Sequence, residues 1–310
     1  MDFDPRDYAD PCARDDFDIY DARRLDDPRA QSDRERDVER DRDRRDHDPR
    51  DVFGEGLELP RGLERELVRD RGRDYSLDGG DTRTLSIVGA FRVVPERDLR
   101  DARDGFDVRD RDLRHLEREG LIERLPLDGR DHVVALTDRG RELLERHQHR
   151  DSRERQVFYS GHDRARERSH DSQFCRAYLR EAERLREREA HILRVELDRE
   201  LKREYQRFLH ERNRDDPNTD GRPDRTREEI EAWAREHDLP YFDEQVHFPD
   251  VRIDYVDVDG DVRHRDIEVT TEHYRGGHSA AAHRSGFSIH AAGRSGGGTS
   301  PDPHLAEEFL

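Results

Sequence analysis

The segment from Asp112 to Arg146 limits the fold of this chain more than any other feature of the sequence. Its leucines first recur at helical spacing, and Gly120 then provides a typical helix stop. Two extended runs follow, 121–125 and 132–136, with an Asp-Gly turn between them. Thr137 can cap the next helix, whose leucines face back to the core. The segment therefore predicts a helix, a β-hairpin and a second helix.

The residues just upstream complete a recognisable order of elements. Residues 84–92 are apolar enough for a buried helix, and Pro95 suits the start of a short helix over 96–101. A turn at Gly105 then precedes the helix that would enter a DNA groove. This order predicts a winged helix-turn-helix domain over residues 81–148, a module that most often binds double-stranded DNA.

Arginine supplies nearly all the positive charge of this domain, and arginine suits bidentate contact with phosphate or guanine. The net charge of −19 excludes a protein that binds DNA through overall charge alone. Acidic residues also interleave with the arginines of the groove helix, so a protein-interaction adaptor or a homodimer scaffold stays open as an alternative. The predicted DNA contacts are Arg109, Arg111, Arg114, Arg118 and Arg130.

The N-terminal region has little to bury. Only 30% of the 310 residues are hydrophobic and 44% are charged, and the shortage of apolar residues is greatest before Leu85. Residues 33–50 are almost entirely Asp, Glu and Arg. Such a composition cannot offset the entropy cost of ordering the chain. We therefore predict a disordered, charged region over residues 1–80, with 52–67 as the ambiguous part, and expect the fold to tolerate its removal.

The remaining chain predicts a second domain. An arginine-rich linker over 149–168 leads to an α/β domain over 169–292, and a flexible tail follows over 293–310. Apolar periodicity within the domain predicts three helices and an intervening strand, over 169–189, 192–197, 200–212 and 226–237. The whole chain is expected to be an α+β protein, with the winged helix followed by a restriction-endonuclease-like α/β domain.

A pair of acidic residues is the second informative pattern. Asp250 stands at the start of one predicted strand, a tight turn follows at Gly260, and Glu268 stands late in the next strand. PD-(D/E)xK nucleases hold a divalent metal with acidic residues in this arrangement. Carboxylate oxygens suit Mg²⁺, which activates a water against a phosphodiester. Asp250 and Glu268 are therefore the candidate metal ligands and catalytic residues.

Position 270 argues against catalysis, because it holds Thr where such a nuclease places Lys. We therefore expect that this domain does not cut DNA. The alternative is a metal-dependent DNA endonuclease that uses Asp250 and Glu268. The histidines of the C-terminal third, His290 among them, lack zinc-like spacing and are interpreted as solvated surface residues.

The cell compartment is predicted from features that the sequence lacks. The chain has two isolated cysteines, no apolar N-terminal core typical of a signal peptide and no run long enough to span a membrane. These features predict a cytoplasmic protein without membrane partners.

In combination, these segments resemble a known family. The motifs LTDRGRELLE, HDSQFCRAYLREAERL and FPDVRIDYVDVDGDVRHRDIEVTTEHYRGGH are similar to those of the bacterial replication-relaxation protein family, over about Thr84 to His290. The resemblance implies a winged helix and a nuclease-like domain, carried on plasmids and other mobile elements, with a role in replication, relaxation or transcription. Asp250 and Glu268 match the acidic positions of the family, and Thr270 departs from its lysine.

Overall fold

The computed structural model describes residues 48–99, 110–127, 131–149, 155–161, 165–213, 223–270 and 283–291. The chain divides into two compact units, Met1–Asp48 and Pro49–Leu310, and the account below concerns the second. This unit is a mixed α+β fold of helices and four small sheets. Arg109, Arg130 and the predicted tail over 293–310 lie outside the described residues.

The prediction of disorder over residues 1–80 is wrong for its last thirty or so residues, which form regular elements. A short helix α1 (Val52–Glu55) is followed by an antiparallel hairpin, β1 (Glu66–Asp70) and β2 (Arg73–Leu77). Their inward side chains, which join the main hydrophobic core, are Phe53, Leu57, Leu59, Val68, Tyr75 and Leu77. A few large apolar residues at inward positions are enough to order a segment that is otherwise charged, because each buried ring or leucine stabilises the fold by about 1.5–3 kcal/mol.

A compact group of helices and strands follows. The elements are α2 (Gly79–Phe91), β3 (Val93–Pro95), α3 (Glu96–Leu99), α4 (Asp110–Arg118), β4 (Ile122–Pro126), β5 (His132–Leu136) and α5 (Asp138–Arg146). The strands form an antiparallel sheet in the order β3-β5-β4. The predicted helix over 84–92 thus begins earlier than expected, because Asp78 and Asp81 form a reciprocal capping box at its start.

The predicted stop after α4 and the predicted cap before α5 are both present. Gly120 has a φ of +71°, a left-handed conformation that glycine adopts without a Cβ penalty. The Thr137 side chain accepts a hydrogen bond from the Gly140 amide at 3.1 Å and so caps α5. A Cβ at position 140 would lie 2.1 Å from the carbonyl oxygen of Leu121, so only glycine allows this close approach.

The predicted linker is packed where the structure describes it. Phe158 and Tyr159 are buried in the main core. The Gln156 side chain hydrogen bonds to both the amide (2.9 Å) and the carbonyl (2.8 Å) of Val195. The Tyr159 amide donates to the Gly89 carbonyl at 2.8 Å. Residues 155–161 therefore tie the two halves of the unit together instead of separating them.

The second half is built around a four-stranded sheet. Its elements are α6 (Ala165–Asp171), α7 (Phe174–Glu187), β6 (His191–Leu197), α8 (Asp198–His210), α9 (Arg227–Glu236), β7 (Tyr241–Phe242), β8 (Gln245–Val246), β9 (Val251–Val256), β10 (Val262–Thr270) and β11 (Ser288–Ala291). The sheet order is β11-β10-β9-β6, with β10 and β11 parallel and the other pairs antiparallel. The predicted helix over 169–189 is in fact two helices, α6 and α7.

Helices cover this sheet. The apolar side chains of β6, β9 and β10 join the same core as α7 and the first half. A smaller aromatic cluster around Trp233 and Leu201 packs α8 against α9. His290 on β11 is buried and lies 2.9 Å from Glu181 of α7, so its interpretation as a solvated surface histidine is wrong. No helix among the described residues is long and apolar enough to cross a membrane.

Candidate functional site

The outer face of α4 carries the described arginines that the sequence assigned to DNA contact. Leu113 and Leu116 are fully buried and hold the helix against the core. Arg111, Arg114 and Arg118 lie on the opposite, exposed side, at the i, i+3 and i+7 spacing of one helical face. The side chains of Arg111 and Arg114 are 76% and 66% exposed. The helix therefore presents an arginine stripe to solvent.

Acidic neighbours neutralise part of this stripe. Arg114 pairs with Asp110, one turn earlier, and Asp110 also contacts Arg124 of β4 at 3.1 Å. Arg111 lies 3.5 Å from the adjacent Asp112. Arg118 has no acidic partner among the described residues, and its Nε donates to the Arg114 carbonyl at 3.2 Å. Exposed pairs of this kind are weak, so a phosphate can replace the carboxylate partner.

The structure places Glu268 on β10 and Asp250 directly before β9, the strand that pairs with β10. Ile267 pairs with Val251 in the last pair of the antiparallel register, so Asp250 and Glu268 each lie one residue beyond that pair. The Asp250 amide donates to the Ile267 carbonyl at 3.0 Å, one residue out of that register. The sequence-based prediction of neighbouring strands is therefore confirmed in the backbone.

The Asp250 carboxylate is engaged by protein groups. Its Oδ2 accepts a hydrogen bond from the Val269 amide at 2.8 Å and lies 3.4 Å from Nε2 of His170. Among the residues that the structure describes, no group of three or more His, Cys, Asp or Glu side chains is arranged to hold a metal ion. Asp250 therefore serves as the acceptor for a histidine and a backbone amide in this arrangement.

His170 lies between two carboxylates at the end of α6. Its Nδ1 is 3.4 Å from Asp171 Oδ1, and its Nε2 is 3.2 Å from the Val269 carbonyl. Burial by itself lowers the pKa of this imidazole, but the hydrogen bonds and charges of Asp171 and Asp250 outweigh it and raise the pKa to about 10. His170 is therefore an imidazolium at neutral pH, and both ring nitrogens act as donors.

The imidazolium makes stability depend on pH in a defined direction. Because the folded pKa of about 10 exceeds the ordinary 6.5, the contribution of His170 is complete below pH 6.5 and is lost as pH rises toward 10. We expect the melting temperature of the native chain to exceed that of His170→Gln most at pH 6, with the gap closing by pH 10. His191→Gln, at an exposed histidine, is the control. A gap that stays constant over this window would contradict the assignment.

A cleft of about 770 Å³ opens beside this histidine, and we call it the junction cleft. The first half of the unit contributes Arg92, Asp138 and Ser160, and the second half contributes His170, Lys202 and Asp250. Apart from Asp250, none of these residues was identified from the sequence as a site residue. The sequence did offer one signal for a site residue, since Lys202 is the only lysine of the chain. The others come together only through the packing of the two halves.

Comparisons with known proteins found no match for the chain. No family model matches it, and no curated protein or solved structure is significantly similar to it.

Proposed function

We propose that this chain binds double-stranded DNA through α4, as a regulator of replication, relaxation or transcription on a bacterial mobile element. The observation that carries the proposal is the exposed stripe of Arg111, Arg114 and Arg118 on a helix held by two buried leucines. An α-helix fits the major groove of B-form DNA, and arginine is the side chain best suited to phosphate and guanine.

The order of elements around α4 supports this proposal. Helix, strand, two helices and a β-hairpin succeed one another from α2 to β5, with the strands arranged β3-β5-β4. This is the order expected of a winged helix-turn-helix, in which the helix before the hairpin enters the groove. A rigid support is needed for such contact, and the hydrogen bonds of residues 155–161 connect this module to the sheet of the second half.

We further propose that the second half is a nuclease-like domain that holds structure without cutting DNA. The sheet order β11-β10-β9-β6, and the positions of Asp250 and Glu268 one residue beyond the last pair of β9 with β10, support a nuclease-like fold. Thr270 stands in place of a lysine, and its hydroxyl donates to the His290 carbonyl at 3.5 Å. The contacts of Asp250 with His170 and the Val269 amide likewise favour a structural role.

The test is DNA binding by the triple variant Arg111→Ala/Arg114→Ala/Arg118→Ala. A preferred duplex is first selected from a random pool, and its affinity is measured by fluorescence anisotropy over a range of salt concentrations. We expect the affinity to fall by about tenfold or more, and the salt dependence to flatten by about one unit of slope per lost phosphate contact.

A matched control removes the same charge elsewhere. Arg203, Arg227 and Arg235 are equally exposed arginines of the second half, and their triple Ala variant should bind the duplex as the native chain does. Equal losses in the two triple variants would show that only overall charge matters, and the proposal would then be wrong. If the native chain nicks plasmid DNA in the presence of Mg²⁺ and Glu268→Ala abolishes the nicking, the proposed regulator is wrong and the protein is an endonuclease.

A further inference from the structure

We propose that the junction cleft binds a phosphate-bearing anion, with Arg199 and Lys202 of α8 as its principal contacts. Both side chains line the cleft, together with Asp138 and Ser160 of the first half. This site is separate from the arginine stripe of α4 and does not require that α4 bind DNA.

The carboxylates of the cleft are already occupied by protein donors. Asp138 accepts a hydrogen bond from the Ser160 hydroxyl at 2.6 Å, and Asp198 accepts one from Lys202 at 2.6 Å. Asp171 is paired with Arg92 at 2.8 Å, and Asp250 is held by His170 and the Val269 amide. These acidic groups therefore offer few free acceptors to a cationic ligand.

Several cationic side chains of the cleft have N–H groups that no described protein acceptor uses. Arg199 is exposed and has no acidic partner among the described residues, so its five N–H groups are available. Lys202 is 54% exposed and uses one of its three ammonium hydrogens on Asp198. The buried Nε of Arg92 has no hydrogen-bond partner within the described part of the chain. This surplus of donors fits a ligand that is rich in acceptor oxygens.

Phosphate is the ligand class that uses such donors best. Among the described residues that line it, the cleft carries five carboxylates (Asp138, Glu167, Asp171, Asp198, Asp250) against four cations (Arg92, His170, Arg199, Lys202), so total charge alone does not attract anions. A phosphate gains instead from several charge-assisted hydrogen bonds at once, because its oxygens can each accept from a different donor. A cleft of about 770 Å³ also has the size of small-molecule sites, which span roughly 300–1,000 Å³.

The backbone of Arg92 is a further sign that this cleft is a built site. Arg92 follows α2 with a φ of +64°, a conformation that non-glycine residues rarely adopt. The ion pair with buried Asp171 holds the guanidinium at the cleft in spite of this strain. Strained residues that the surrounding structure holds in place are concentrated at ligand sites.

Calorimetric titration of the full chain in EDTA tests the proposal. The ligands are inorganic phosphate, dAMP, ATP, and adenosine as the phosphate-free comparison. We expect at least one phosphate compound to bind saturably, adenosine not to bind, and Arg199→Ala/Lys202→Ala to weaken binding by about tenfold or more. Arg203→Ala/Arg207→Ala changes two exposed arginines of the same helix outside the cleft and should leave affinity unchanged.

A second arm identifies the source of the phosphate. The α4 triple variant is titrated with a short duplex that carries or lacks 5′-phosphates, so that binding by α4 does not obscure the result. A preference for the phosphorylated duplex, with no binding of dAMP or ATP, assigns the site to a DNA end, and the reverse assigns it to a free nucleotide.

Other outcomes overturn the proposal. One is that no phosphate compound and no duplex binds saturably. The other is that Arg199→Ala/Lys202→Ala and Arg203→Ala/Arg207→Ala bind with equal affinity. Arg199→Lys/Lys202→Arg keeps both charges and should retain binding, which separates loss of contact from loss of fold. Failure of α4 to bind DNA would leave these results unchanged.

Discussion

Phe53→Ala is expected to lower the free energy of unfolding by about 3–5 kcal/mol, the usual cost of removing a buried phenylalanine ring. Phe53 is 2% exposed, and its ring centroid lies 5.4 Å from that of Phe91 and 5.2 Å from that of Tyr178. The substitution therefore leaves a cavity where α1 meets α2 and α7. Urea unfolding, followed by circular dichroism and tryptophan fluorescence, measures the loss.

Leu63→Ala is the matched control, because Leu63 belongs to the same N-terminal segment but is 80% exposed. Its free energy of unfolding should stay within about 0.5 kcal/mol of the native value. Equal stabilities of the Phe53 and Leu63 variants would mean that residues 49–80 do not pack, and the interpretation of this segment from composition would stand.

The second large effect is expected at the buried ion pair between Arg252 of β9 and Asp266 of β10. Each side chain is 8% exposed. Arg252 donates two hydrogen bonds to the Asp266 carboxylate, at 2.8 and 2.9 Å, and others to the carbonyls of His237 and Asp238. Asp266→Asn removes the charge and leaves a buried guanidinium without its counterion, which costs about 3–5 kcal/mol. Denaturant unfolding of this variant measures the loss.

An exposed pair on the same hairpin provides the comparison. Arg263 contacts Asp261 at 3.0 Å near the turn, where both side chains are open to solvent. Water screens such pairs, so Asp261→Asn should leave the melting temperature nearly unchanged. A comparable loss in the two Asn variants would show that burial does not decide the strength of these pairs in this protein.

Local patterns predicted most of the helices and strands. The strand over 132–136 was predicted at its observed bounds, and Thr137 and Gly120 act as the expected cap and stop. These features depend on neighbours in the chain, such as side-chain hydrogen bonds to amides three residues away and the freedom of glycine at positive φ. A composition rich in charge does not obscure such signals.

The β1–β2 hairpin was missed for a definite reason. Its outward positions are charged or polar except for Leu67, and only Val68, Tyr75 and Leu77 face the core as apolar residues. Average hydrophobicity over such a segment is low, and the segment was therefore predicted to be disordered. Its order depends on a surface elsewhere in the chain, which the packed core supplies.

The candidate site shows the same limit. The sequence identified Asp250 and Glu268 and predicted neighbouring strands for them, and β9 does pair with β10. It did not identify His170 as the partner of Asp250, because these residues are eighty positions apart and meet only when α6 packs beside the sheet. It also gave no indication that Lys202 and Arg92 line one cleft.

The sequence by itself determined where most of the helices and strands form and which of their faces are apolar, because these depend on periodicity and on contacts within a few residues. Tertiary structure alone decided that residues 49–80 and 155–161 are packed, that His290 is buried against Glu181, and that the two halves meet at a cleft. The physical reason is that burial and charge pairing belong to surfaces built from distant segments, whose apolar and charged groups acquire partners only in the folded chain.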